Sequence, residues 1–173
     1  MNFFRLLAAN LMEGKAIREI GANCLKKVFG EGIDPEKITM RKLFEKTGVE
    51  FTCTTVDLDD QIIRFLNHKT SPGIPVIYAV QMTGSFPVAF KAQKWQKSWG
   101  KYYIHYEHMR KEIDLTGHEF TDGGMLANFP IKYLDNEKMR PMYFAYPKTK
   151  KTILYGFGLN QISDPAYTEK KNR

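Results

Sequence analysis

The sequence predicts an α/β domain. Apolar residues recur at helical spacing in its first third, two runs rich in β-branched and aromatic residues follow, and a further helix comes directly after them. The 173 residues suffice for one domain with its own core. With 43% hydrophobic and 26% charged residues the chain has the mixture of a folded protein and lies far from that of a disordered one. No internal repeat and no interdomain linker interrupts it.

From Asn2 to Phe29, Leu7, Leu11, Ile17, Ile20, Cys24 and Val28 mark one helix, or two broken near Gly14. Gly30 to Pro35 reads as a loop. Thr39 can then cap a helix through Met40, Leu43 and Phe44 that stops at Gly48. Val49 to Leu58 and Gln61 to Leu66 read as adjacent strands joined by a short acidic turn at Asp59 and Asp60. Ser71, Pro72 and Gly73 open a helix from Ile74 to Met82, with proline near its first turn. Residues 89–117 are basic and aromatic without periodicity, and are expected to form an excursion on the main fold. A short strand ends at Thr121, a turn passes through Gly123 and Gly124, and Thr152 to Phe157 reads as a late strand.

A net charge of +7 favours an anionic partner, either phospholipid headgroups or nucleic acid. The clusters Lys148, Lys150, Lys151 and Lys170, Lys171, Arg173 read as solvated faces. Cys24 and Cys53 form no C-x-x-C pair, so reduced, buried thiols are expected. The apolar N-terminal run of Phe3, Phe4, Leu6, Leu7, Ala8 and Ala9 is interrupted by Arg5 and is too short for a signal segment. No other stretch approaches the roughly 20 apolar residues of a membrane span. A cytoplasmic protein, at most peripheral at membranes, is the resulting expectation.

The run from Phe120 to Pro130 holds the most chemistry. Asp122 follows a predicted strand and precedes two glycines, which permit positive φ and close approach of other backbone. The end of a strand is where α/β sheets place their sites, yet Asp-Gly is also an ordinary turn dipeptide. The longer pattern D-G-G-x-x-x-N-x-P, spelled by Asp122, Gly123, Gly124, Asn128 and Pro130, resembles the aspartate motif of patatin-like phospholipases. Ile38 to Gly48 is similar to the helix before a core strand of that family. Pro75, Ala79, Ser85 and Pro87 fall like its helix that ends in a small-residue and proline turn. Trp99, Gly100 and Asp114 to His118 look like the lead-in to the aspartate in bacterial members. The resemblance spans residues 14–159 of a single domain.

It implies a three-layer α/β/α sandwich that hydrolyses lipid acyl esters with a serine and aspartate dyad, without histidine and without a cofactor. Asp122 would take the serine proton, so its carboxylate must come within hydrogen-bond reach of the hydroxyl. Gly123, Gly124, Asn128 and Pro130 would shape its loop. The family also needs a G-x-S-x-G elbow and a glycine-rich oxyanion loop, and neither is among these residues. None of Ser71, Ser85, Ser98 and Ser163 has glycines two residues to either side. Ser85, between Gly84 and Pro87, reads as a packed turn residue.

The sandwich is therefore expected to be incomplete on its N-terminal side, with a sheet edge open to a complementary N-terminal segment, and the isolated chain is expected to be inactive. The alternative is a patatin remnant that has lost catalysis and binds lipid or protein. The segment from Lys91 to Arg110 interleaves lysines with Trp95, Trp99 and tyrosines. That pattern suits an anionic membrane surface, stacking on nucleic-acid bases, or a packed lobe; the resemblance favours lipid, and no nucleic-acid partner is expected. His68, His105, His108 and His118 lack the partners of a metal site, and none is expected to bind metal.

Overall fold

The computed structural model describes residues 13–87, 89–127 and 130–145. The expected strand at Thr152 to Phe157, the lysine clusters beyond it and at Lys148 to Lys151, and the N-terminal apolar run lie outside the described residues. Helix α1 (Lys15–Phe29) starts after Gly14, whose φ of 70° is left-handed and against which Gln81 packs so closely that a Cβ would lie 2.8 Å from its Nε2. Helix α2 (Met40–Thr47) runs as the spacing predicts. Thr39 Oγ1 accepts the Lys42 amide at 3.3 Å, and Gly48, at φ 68°, closes the last turn on the Phe44 carbonyl. Helix α3 (Val76–Thr83) begins two residues later than the sequence suggests, because Pro75 disfavours helical backbone at Ile74. Instead the Ile74 carbonyl accepts the Met40 amide at 3.0 Å and the Ile38 carbonyl accepts that of Val76 at 2.9 Å, which clips the starts of α2 and α3 together.

The described residues hold six strands, in chain order β1 (Cys53–Asp57), β2 (Ile62–Leu66), β3 (Gln93–Lys94), β4 (Tyr102–His105), β5 (Arg110–Ile113) and β6 (Glu119–Asp122). Four form a sheet in the order β2-β1-β6-β3, antiparallel at each pairing, and β4 with β5 makes a separate hairpin. The predicted acidic turn joins β1 to β2, with Gln61 at φ 57°. β1 starts at Cys53 and not at Val49, because its partner β2 ends opposite at Leu66. Beyond Leu66 the chain turns, with the Asn67 side chain accepting the amides of Lys69 and Thr70.

The main core gathers Leu25, Met40, Leu66, Ile74, Ile77, Met82 and Phe120 with Trp95, Trp99, Tyr102 and Leu115. Thus the aromatic half of the basic segment faces inward, while Lys91, Lys94, Lys97 and Lys101 stay exposed. Trp95 meets Trp99 edge-on at 5.6 Å, and its indole N–H donates to the Gly100 carbonyl at 2.9 Å. Packing inside the fold is therefore the reading that holds for both tryptophans, and neither is free to sit at a membrane interface. Short helices α4 (Gly124–Ala127), α5 (Ile131–Asp135) and α6 (Arg140–Tyr143) end the described chain. Phe65 of β2 packs on Tyr133, Tyr143 and Phe144 at centroid distances of 5.0 to 5.1 Å.

Cys53 is buried, and burial pushes its thiol up to about 12, so it is inert as a nucleophile near neutral pH. The expectation of a buried thiol fails at Cys24, which is exposed because α1 turns Gly21 and Leu25 inward and leaves Cys24 on its outer face. Both cysteines are free. No helix among the described residues is long and apolar enough to cross a membrane.

Candidate active site

Asp122 is the last residue of β6, opposite Thr55 of β1. Three hydroxyls lock the backbone around it. Thr55 Oγ1 donates to the Thr121 carbonyl, Thr121 Oγ1 to the Ser85 carbonyl and Ser85 Oγ to the Gln81 carbonyl, each at 2.6 Å. The Asp122 amide also donates to the Ser85 carbonyl, at 3.1 Å. The C-terminal end of α3 is thereby tied to the end of β6, and Thr55, Thr121 and Ser85 are all buried. Buried hydroxyls with defined acceptors hold one backbone geometry, since breaking any of these bonds strands a polar atom.

The carboxylate itself is half-buried. Its Oδ1 accepts the Gly124 amide at 2.8 Å, and among the described residues it makes no ion pair. Gly123 is needed for space and not for a left-handed φ: a Cβ there would lie 2.4 Å from the Thr54 carbonyl oxygen, so β1 backbone runs directly against it. Gly124 opens α4, on which Met125 and Leu126 are exposed. Pro130 lines a cavity beside the loop, and Asn128 lies outside the described residues. The structure thus brings Asp122, Gly123, Gly124 and Pro130 to one end of the sheet.

The described serines offer the carboxylate no hydroxyl. Ser85 meets the Asp122 amide through its carbonyl, but its side chain is buried and already donated to Gln81. Ser71 is buried with its hydroxyl on the Asn67 carbonyl, and Ser98 is exposed in the turn before Trp99.

The histidines are dispersed. His68 stacks on Phe44 with ring centroids 3.7 Å apart, His105 faces the Lys69 carbonyl at 3.1 Å, and His108 is exposed. Burial and neighbouring cations hold His68 below its ordinary pKa, and burial does the same at His105. His118 precedes β6 and sits at the end opposite Asp122, with Nδ1 3.1 Å from Asp57 Oδ1. Asp57, Asp59 and His118 bring ligand-type atoms within 4.8 Å of one another. The Arg64 guanidinium already binds Asp57 Oδ2 through Nε at 3.1 Å and Nη2 at 3.0 Å, and Asp59 accepts the Glu119 amide at 2.7 Å. A cation placed there would meet the guanidinium charge.

This buried network escapes the sequence reading. Its signal was Arg64 in the apolar run from Ile62 to Leu66, a charge on a strand that must bury it and therefore needs a carboxylate across the hairpin.

Residues 3–135 match the family model described as patatin-like phospholipase. The chain belongs to the patatin-like phospholipase family. Comparison with curated proteins and with solved structures gave no match. Membership makes the fold an α/β/α sandwich, consistent with helices and an antiparallel sheet in the described residues, and places the chain in a family of lipid acyl hydrolases.

Proposed function

We propose that Asp122 is the general base of a serine and aspartate dyad in a patatin-like acyl hydrolase, and that the serine comes from a segment outside these 173 residues. The observation that carries this reading is the state of the Asp122 carboxylate. It is fixed at the strand end by the Ser85, Thr121 and Thr55 hydrogen bonds, is held by a single amide of its own loop, and is engaged by no cation among the described residues. A base in acyl transfer needs a fixed position and a free lone pair, and Asp122 has both. Gly123 lets the loop lie against β1, the Gly124 amide holds the carboxylate, Asn128 and Pro130 are assigned to the loop by the family motif, and no cofactor enters the chemistry. The substrate is a lipid acyl ester presented at an anionic surface, which the +7 charge and the exposed lysines favour. The protein acts in the cytoplasm, peripherally at membranes.

The 173-residue chain alone is expected to hydrolyse no p-nitrophenyl ester and to take no label from a fluorophosphonate probe, which reports an activated serine. Adding a G-x-S-x-G segment of the same family restores turnover, and Asp122→Asn removes it. Labelling of any serine in the isolated chain would overturn the assignment, as would activity that survives Asp122→Asn.

A further inference from the structure

Beside the Asp122 loop, but on the other face of the sheet, lies a half-open cavity of about 330 Å³. The face follows from register. Asp122 is paired with Thr55, so their side chains share a face, while Thr54 and its partner Phe65 project to the opposite one. Phe51, Phe65, Leu134, Phe144 and Pro130 form apolar walls, Thr52 and Thr54 add hydroxyls, and Glu50 is the one ionisable group among the described lining residues. Taking about 30 Å³ as the share of a water-sized group, the volume holds on the order of ten such groups, the size of a medium-length alkyl chain. It falls at the lower end of small-ligand sites, whose pattern of apolar walls with few polar groups it repeats.

Glu50 is the carboxylate on the cavity wall. Its Oε2 accepts the Ala145 amide at 2.8 Å, whereas Oε1 has only long contacts, to the Thr52 hydroxyl and Asn67 Nδ2, both at 3.4 Å. One acceptor oxygen is thus loosely satisfied at the wall of an apolar space. Lys69 does not neutralise it by contact, because its ammonium donates to the Phe144 carbonyl at 3.1 Å and to that of Pro141. Burial raises the Glu50 pKa, the response of a carboxyl whose surroundings disfavour charge. An anionic head beside it would add like-charge repulsion to that desolvation, whereas a hydroxyl would give Oε1 the short hydrogen bond it lacks.

We propose that this cavity binds the alkyl chain of an uncharged, hydroxyl-headed amphiphile, a fatty alcohol or monoacylglycerol, whose hydroxyl donates to Glu50. The site lies across the sheet from the Asp122 carboxylate, shares only Pro130 with its loop, and does not rest on the hydrolase reading.

Isothermal titration of the full chain with 1-decanol and with decanoate at pH 8 tests it. Decanol binds, and decanoate binds at least about tenfold more weakly, the scale of one unfavourable charge contact. Glu50→Gln, close in shape and without charge, shrinks that preference to within about threefold. Leu134→Trp fills the cavity and abolishes binding of both. No binding of decanol, decanol binding that survives Leu134→Trp, or a decanol preference unchanged in Glu50→Gln would each overturn the proposal. The Glu50→Gln arm decides the head-group contact even if Leu134→Trp does not fold.

Discussion

At one end of β6, beside His118, the Asp57 carboxylate is fully buried and saturated. Oδ1 accepts the amides of Asp59 and Asp60 at 3.2 Å and faces His118, while Oδ2 takes two bonds from Arg64, whose guanidinium also reaches Asp60. At the other end Asp122 is half-buried and holds one amide of its own loop. The strand is only four residues long, so the two ends share the same sheet, partner strand and core. What differs is the spare capacity of the carboxylate. Asp57 has none, and its role is to pin the β1–β2 turn to the start of β6, helped by the Leu58 amide on the Glu119 carbonyl at 2.8 Å. Asp122 keeps its lone pairs while its backbone is fixed as firmly, which is the condition a general base must meet.

Stability should divide along the same line. Arg64→Met leaves a fully buried carboxylate without its cation, and a loss of about 3 to 5 kcal/mol is expected in urea denaturation. A loss as small as that of a surface substitution would show that the His118 end is not the structural one.

Gly123→Ala drives a methyl into the Thr54 carbonyl, so the loop must move off β1, at about 1 to 3 kcal/mol. Thermal unfolding measures this, and an unchanged midpoint would mean that the loop is not pressed on the strand.

Asp122→Asn should change stability least, by no more than about 0.5 kcal/mol, since the Asn carbonyl can still accept the Gly124 amide. A large loss there would make Asp122 a second structural carboxylate and remove the contrast.

Local chemistry is legible in the residue order. Thr39 and Gly48 bound α2, because a side-chain oxygen can satisfy a free amide and glycine can take positive φ wherever the helix sits. The acidic turn between two β-branched runs marks β1 and β2, and the D-G-G run puts Asp122 at a strand end. The inward packing of Trp95 and Trp99 is not legible there, since an aperiodic aromatic segment fits a surface and a core equally well. The role of Gly123 is legible as a need for glycine but not as to cause, which is the backbone of a strand 69 positions earlier in the chain.

The amino-acid order by itself determined the α/β class, the caps and turns, and the aspartate motif, because each depends on residues within a few positions of one another. Only the tertiary structure decided which carboxylate is saturated and which is free. Asp57, Arg64 and His118 come together through pairing across β2, β1 and β6, as do Thr55 and Thr121 behind Asp122, where the end of α3 adds Ser85. Contacts between residues some 60 positions apart, such as His118 with Asp57, are set by sheet register and side-chain packing, which no local pattern encodes.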